Sequence, residues 1–156
     1  MAESQHYREL LQALKDFEVE YLIVGGYAIM KYTEPRYTKD LDVWVRKSIE
    51  NSARLFKALA AFDAPLQSDG ITPETFTRNV VYQIGIAPVR IDILTSISGV
   101  EFTDAWARRV QSAIFEVPVQ FISLDDLIVN KQAAGRISDV EHLQEIKKQR
   151  NKPDGF

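Results

Sequence analysis

Three aspartates stand at positions where a folded sheet tolerates acids poorly. In Asp40-Leu41-Asp42-Val43-Trp44-Val45, Leu41, Val43 and Val45 alternate with the other three residues, the period of a β-strand, so Asp40 and Asp42 share one face. Asp92, in Arg90-Ile91-Asp92-Ile93-Leu94, sits in the middle of another strand-like run. Carboxylates crowded on a sheet face repel one another and resist desolvation, which a divalent cation or a shifted pKa resolves. Oxygen ligands of this kind suit magnesium, which takes one or two carboxylates and leaves its other positions to water and substrate phosphates. The chemistry indicated is phosphoryl transfer at a two-metal site. Gly25-Gly26, closing the apolar run Tyr21-Leu22-Ile23-Val24, adds a second element: glycines allow backbone N–H groups close to a phosphate, and a helix starting there favours anions.

The elements that must hold these residues follow from the pattern. Tyr7, Leu10, Leu11, Leu14 and Phe17 fall at helical spacing, giving an amphipathic helix over 4–17 that covers a sheet face. A strand over 21–24, a tight glycine turn and a helix from Tyr27 to Lys31 come next, broken by Glu34-Pro35. Beyond the Asp40 strand, Ser48 is the N-cap of a helix over 49–61 with Ala53, Phe56 and Leu59 or Ala60 as its buried stripe. Residues 63–78 read as a loop with one helical turn after Thr72-Pro73. Two strands, 79–86 and 89–95, meet in a tight connection, and a short helix at 102–110 contains Trp106. Residues 113–122 form one strand or a pair broken at Pro118. Ser123 caps a helix ending near Gly135, and Ser138 with Glu141 opens another through a capping box. The expected fold class is α/β (α+β), a mixed β-sheet flanked by helices. It is read as one domain over 1–156, with a core at about 4–122 and a C-terminal helical portion at about 123–150.

Composition narrows the alternatives. The 156 residues are 46% hydrophobic and 26% charged with a net charge of −3, enough for a core that needs neither disulfides nor a structural metal. The lack of cysteine excludes thiolate zinc sites and cysteine nucleophiles, and His6 and His142 are isolated, which disfavours a histidine metal site. The third glycine of a dinucleotide fingerprint is missing, as is a P-loop. A polar N-terminus and the lack of a long apolar run predict a cytoplasmic protein without membrane contact. The acidic balance argues against broad wrapping of nucleic acid, although Arg108, Arg109, Lys147, Lys148, Arg150 and Lys152 could supply a local basic patch.

Val24-Gly25-Gly26, thirteen intervening residues, then Asp40-Leu41-Asp42-Val43 resembles the signature of the polymerase-beta-type nucleotidyltransferase superfamily. Asp92 matches that family's third carboxylate in context and distance. Pro35-Arg36-Tyr37-Thr38-Lys39-Asp40-Leu41-Asp42 is similar to the Arg-x-Thr-x-Asp-x-Asp form of bacterial toxin-type (AbiEii-like) and small-molecule adenylyltransferase branches. Asp126 to Lys131, with Arg136 and Asp139, is similar to a helical motif downstream in the toxin-type branch. The resemblance implies that Asp40, Asp42 and Asp92 are catalytic and hold two Mg2+ ions, with Mn2+ as a substitute. It implies a nucleoside triphosphate, ATP among them, as donor, attacked at its α-phosphorus with release of pyrophosphate. Gly25, Gly26, Arg36, Thr38, Lys39 and Lys131 are the nucleotide-binding candidates, Lys131 reaching the β- and γ-phosphates as a point charge.

Each candidate has a plainer reading. An Asp-x-Asp strand is often a solvent-facing edge; Arg36 and Lys39 are often surface charges; Tyr27, Tyr32 and Tyr37 could stack a base or simply pack on the sheet. The acceptor hydroxyl is open among RNA, protein and a small molecule. A chain of this length lacks the large second domain with which many relatives clamp acceptors, so a protein partner or homodimer completing the cleft is expected. The alternative reading is a non-catalytic nucleotide-binding or regulatory protein of the same fold, such as a toxin-antitoxin component.

Overall fold

The computed structural model describes residues 2–34, 40–86 and 89–151. Its elements are α1 (Ala2–Asp16), β1 (Tyr21–Val24), α2 (Gly25–Tyr32), β2 (Asp40–Val45), α3 (Ile49–Ala61), a 3-10 turn (Thr75–Thr77), β3 (Val81–Ile86) and β4 (Val89–Leu94). They continue with α4 (Phe102–Ala107), β5 (Val110–Ile114), β6 (Val117–Phe121), α5 (Leu124–Ala133) and α6 (Ile137–Arg150). Six strands make one mixed sheet in the order β3-β4-β2-β1-β6-β5. β2 runs antiparallel to β1 and parallel to β4, and β6 runs parallel to β1. This is the expected α/β architecture with helices against the sheet.

Two of the inner strands, β1 and β2, are apolar where they face the core. All four residues of β1 are buried, as an interior strand covered on both faces requires. In β2, Leu41, Val43 and Val45 are fully buried on one face, while Asp40 and Asp42 on the other are only half-buried. Tyr7, Leu10, Leu11 and Leu14 of α1 pack beside α3 and against β4 and β6, anchoring the sheet from one helix. α2 lies on β1 and β2 and touches α5 and α6. No helix of the described residues is long and apolar enough to cross a membrane.

Three local expectations are corrected. The buried side of α3 is Ser52, Leu55, Ala58 and Leu59, whereas Ala53 and Phe56 are half-buried and Ala60 is exposed. Ser48 nonetheless caps the helix as expected, its oxygen accepting from the Asn51 N–H at 3.1 Å. The stripe is rotated because Ser52 is locked inward, donating to the Pro73 carbonyl at 2.7 Å and accepting from the Phe76 N–H at 3.0 Å.

The chain after α4 is a β5–β6 pair whose break falls at Phe115-Glu116 and not at Pro118. Both turn residues have positive φ, 50° and 69°, which ordinarily calls for Asn or Gly. Tertiary contacts supply what the turn residues lack: the Phe115 ring stacks 6.3 Å from Tyr7, Arg8 donates to the Phe115 carbonyl at 3.1 Å, and Arg8 pairs with Glu116 at 3.6 Å. Pro118 sits within β6 opposite Ala113, next to the hydrogen-bonded pair that flanks the turn, so alternation directs its missing N–H away from β5. In α6 the N-cap is Arg136, and Ser138 falls inside the first turn, so no capping box forms there.

Candidate active site

Strand register brings the acids together. Val24, the last residue of β1, is opposite Asp42, and Asp42 is level with Asp92 across the parallel β2–β4 pair. Residues level with each other on neighbouring strands point to the same face, so the three aspartates form one acidic patch beside the end of β1. Burial differs within it. The Asp92 side chain is 12% exposed and that of Asp40 32%. The Asp42 carboxyl is pushed up to about 7, first by burial, then by the charges of Asp92 and Asp40; Lys131 and Arg90 oppose the rise. Lys131, on α5, therefore lies near enough to act on Asp42 electrostatically.

Gly25 is required where it stands. It has a φ of 68°, and a Cβ built there would collide with the Asp42 carboxylate. The backbone thus comes right up to the acid, and α2 starts at that contact. Its N-cap is Val24, whose side chain has no oxygen to cap with, so the first N–H groups of α2, those of Gly25 and Gly26 among them, receive no side-chain cap. Uncapped donors at a helix N-terminus suit an anion such as a polyphosphate.

Arg90 is the residue that sequence reasoning passed over. Register sets it level with Asp40, and its Nη2 donates to Asp92 Oδ2 at 3.1 Å while forming an ion pair with Asp40 Oδ2 at 3.0 Å. A cation two residues before Asp92 on one strand must share its face, and that spacing was the available signal. The guanidinium is half satisfied: among the described residues its buried Nε has no hydrogen-bond partner, and neither has the buried Asp92 Oδ1. Tyr7 steadies the strand here, donating from its hydroxyl to the Arg90 carbonyl at 3.2 Å.

Asp40, Asp42, Asp92, Gly25 and Gly26 are thus gathered at one end of the sheet, with Lys131 within electrostatic range. Arg36, Thr38 and Lys39 lie outside the described residues. Two members of the expected basic patch have other partners: Arg108 makes a bidentate pair with the buried Asp126, at 3.0 and 2.9 Å, and Lys147 pairs with Asp125 at 2.8 Å. Among the described residues no three acidic or histidine side chains are poised, as they stand, to surround one metal ion. The chemistry of the donor set still fits one. An orphaned buried carboxylate oxygen on Asp92, and an Asp42 carboxyl whose pKa is raised by burial and then by its acidic neighbours, offer a hard cation oxygen ligands short of countercharge.

A mixed six-stranded sheet with this acidic patch beside a glycine-initiated helix defines a nucleotidyltransferase-type catalytic fold. The chain belongs to the family described as "Nucleotidyltransferase of unknown function (DUF6036)", which matches residues 4–149. A comparison with curated protein sequences finds no match. Among solved structures the chain is similar to a putative nucleotidyltransferase (TM1012) from Thermotoga maritima, with a TM-score of 0.56 and 14% identity over 94% of this chain and 91% of that one. It is similar also to ANT(2'')-Ia in complex with adenylyl-2''-tobramycin, with a TM-score of 0.53 and 14% identity over 96% of this chain and 95% of the other. At such identity the likeness is one of fold.

Proposed function

We propose that the protein transfers a nucleoside monophosphate from a nucleoside triphosphate to an acceptor hydroxyl, releasing pyrophosphate, with Asp40, Asp42 and Asp92 as its catalytic acids. The observation that carries this reading is the level pairing of Asp42 with Asp92, against a glycine that leaves the uncapped start of α2 touching the same carboxylate. Asp40, Asp42 and Asp92 would hold Mg2+, or Mn2+ in its place, which when bound supplies charge neutralisation and acidifies the attacking hydroxyl. The side chains prepare for that. Burial and mutual repulsion leave Asp42 short of countercharge, so it gains most from a cation. The N–H groups of Gly25 and Gly26 face phosphate oxygens, and Lys131 adds a positive charge on the Asp42 side. Asp92, with one oxygen unbonded among the described residues, takes the proton from the hydroxyl.

ANT(2'')-Ia, in its complex with adenylyl-2''-tobramycin, provides a precedent for a small-molecule acceptor on this fold. The toxin-type branch directs the same chemistry to RNA or protein. Incubation with each α-labelled nucleoside triphosphate, Mg2+ and a cell extract separates these cases by the fraction that gains label. Transfer that disappears in Asp42→Asn and Asp92→Asn supports the reading. Nucleotide binding without transfer in any fraction favours the non-catalytic regulatory role instead.

A further inference from the structure

Resting on the reading of the three aspartates as a cation site, we propose that Arg90 is a built-in stand-in cation, which bridges Asp40 and Asp92 in the metal-free protein and must swing away for a metal ion to bind. One guanidinium nitrogen lies 3.0 Å from Asp40 and 3.1 Å from Asp92, in the space between two of the proposed ligands. With it there, no three acids of the described residues converge on a common point. A guanidinium occupying the gap accounts for that, since it hydrogen-bonds one oxygen of Asp92, pairs in charge with one of Asp40, and draws both toward itself.

The contact is also one that can be given up. The Arg90 side chain is 34% exposed, so a route to solvent exists, and its buried Nε is without a partner among the described residues. Asp92 Oδ1 is in the same condition. A fully bonded bidentate pair would hold both groups in place; this single-nitrogen bridge leaves donor and acceptor each partly unsatisfied. Once displaced, the guanidinium stays on the same face of the sheet, where a triphosphate brings negative charge.

Competition of this kind lowers apparent metal affinity by the fraction of time the site is free, so a bridge present about nine-tenths of the time weakens binding about tenfold. Mn2+ binding followed by electron paramagnetic resonance, with melting curves of the metal-free protein, tests this without any turnover. Arg90→Gln is expected to bind Mn2+ about tenfold more tightly than wild type, although its metal-free form melts at a lower temperature. Arg90→Lys, which keeps the charge but not the planar fork, should fall between. Equal or weaker Mn2+ binding by Arg90→Gln overturns the proposal and makes Arg90 a buttress for the ligands. So does an equal gain in Lys131→Gln, because removal of any nearby positive charge would then explain the effect. Failure of both wild type and Arg90→Gln to bind Mn2+ would instead refute the cation-site reading itself.

Discussion

Strand β2 carries two faces built on opposite principles. Leu41, Val43 and Val45 on one face are fully buried, whereas Asp40 and Asp42 on the other stand half-buried among like charges. The first face lowers the free energy of the fold; the second raises it and is held in place by the first. Local rules that agree everywhere else in a sequence are broken where function asks for it. An acid pair in the middle of a sheet is such a break, and its neighbours in register, Val24 and Asp92, show that the break is organised across three strands.

Substitutions on the two faces should therefore separate activity from stability. On the acidic face, Asp42→Asn is expected to lower nucleotide transfer more than about 100-fold, since loss of a residue behind the ligands already costs 10–100-fold. Its melting temperature at pH 8 should not fall. A transfer rate within about tenfold of wild type would remove Asp42 from the site. On the apolar face, Leu41→Ala, which empties a fully buried position, should cost about 2–5 kcal/mol in urea denaturation. The surviving folded fraction should keep its nucleotide affinity. Between the faces, Gly25→Ala imposes a left-handed conformation on alanine and a collision with Asp42, so it should cost about 1 kcal/mol or more and weaken triphosphate binding as well. A Gly25→Ala protein of unchanged stability would show that the close approach to Asp42 is not required.

How far the sequence revealed this contrast depends on the residue. Period-two alternation exposed both faces of β2 and the mid-strand Asp92, because an acid among β-branched residues violates a strong local pattern. Gly25-Gly26 was legible for the same reason, as punctuation at the end of an apolar run. Arg90 was not singled out, since alternation put it on the right face without saying which strand would lie beside it; the level pairing with Asp40 is a tertiary fact. The Phe115-Glu116 turn was hidden more deeply. Its positive φ values are maintained by Tyr7 and Arg8, about a hundred residues earlier, and neither Phe nor Glu signals such a turn. The rotation of α3 likewise follows from Ser52 finding partners at Pro73 and Phe76, which helical periodicity alone does not contain.

A last effect expected from the contrast is in the pH dependence of stability. With its folded pKa pushed up to about 7 from an ordinary 3.8, Asp42 in the metal-free protein binds a proton more readily folded than unfolded. Between those two values the native state holds more protons than the unfolded chain, so stability falls as pH rises and levels off above about 7. This is opposite in sign to an aspartate stabilised by a salt bridge, whose contribution is lost on acidification. Asp42→Asn removes the titration, so its melting temperature should exceed that of wild type at pH 8 by more than at pH 5. Saturating Mg2+ should abolish the difference in slope by supplying the missing positive charge to the wild type. If the two proteins run parallel from pH 5 to 8 without metal, Asp42 is not held against its neighbours' charge, and the acidic face is no more strained than the apolar one.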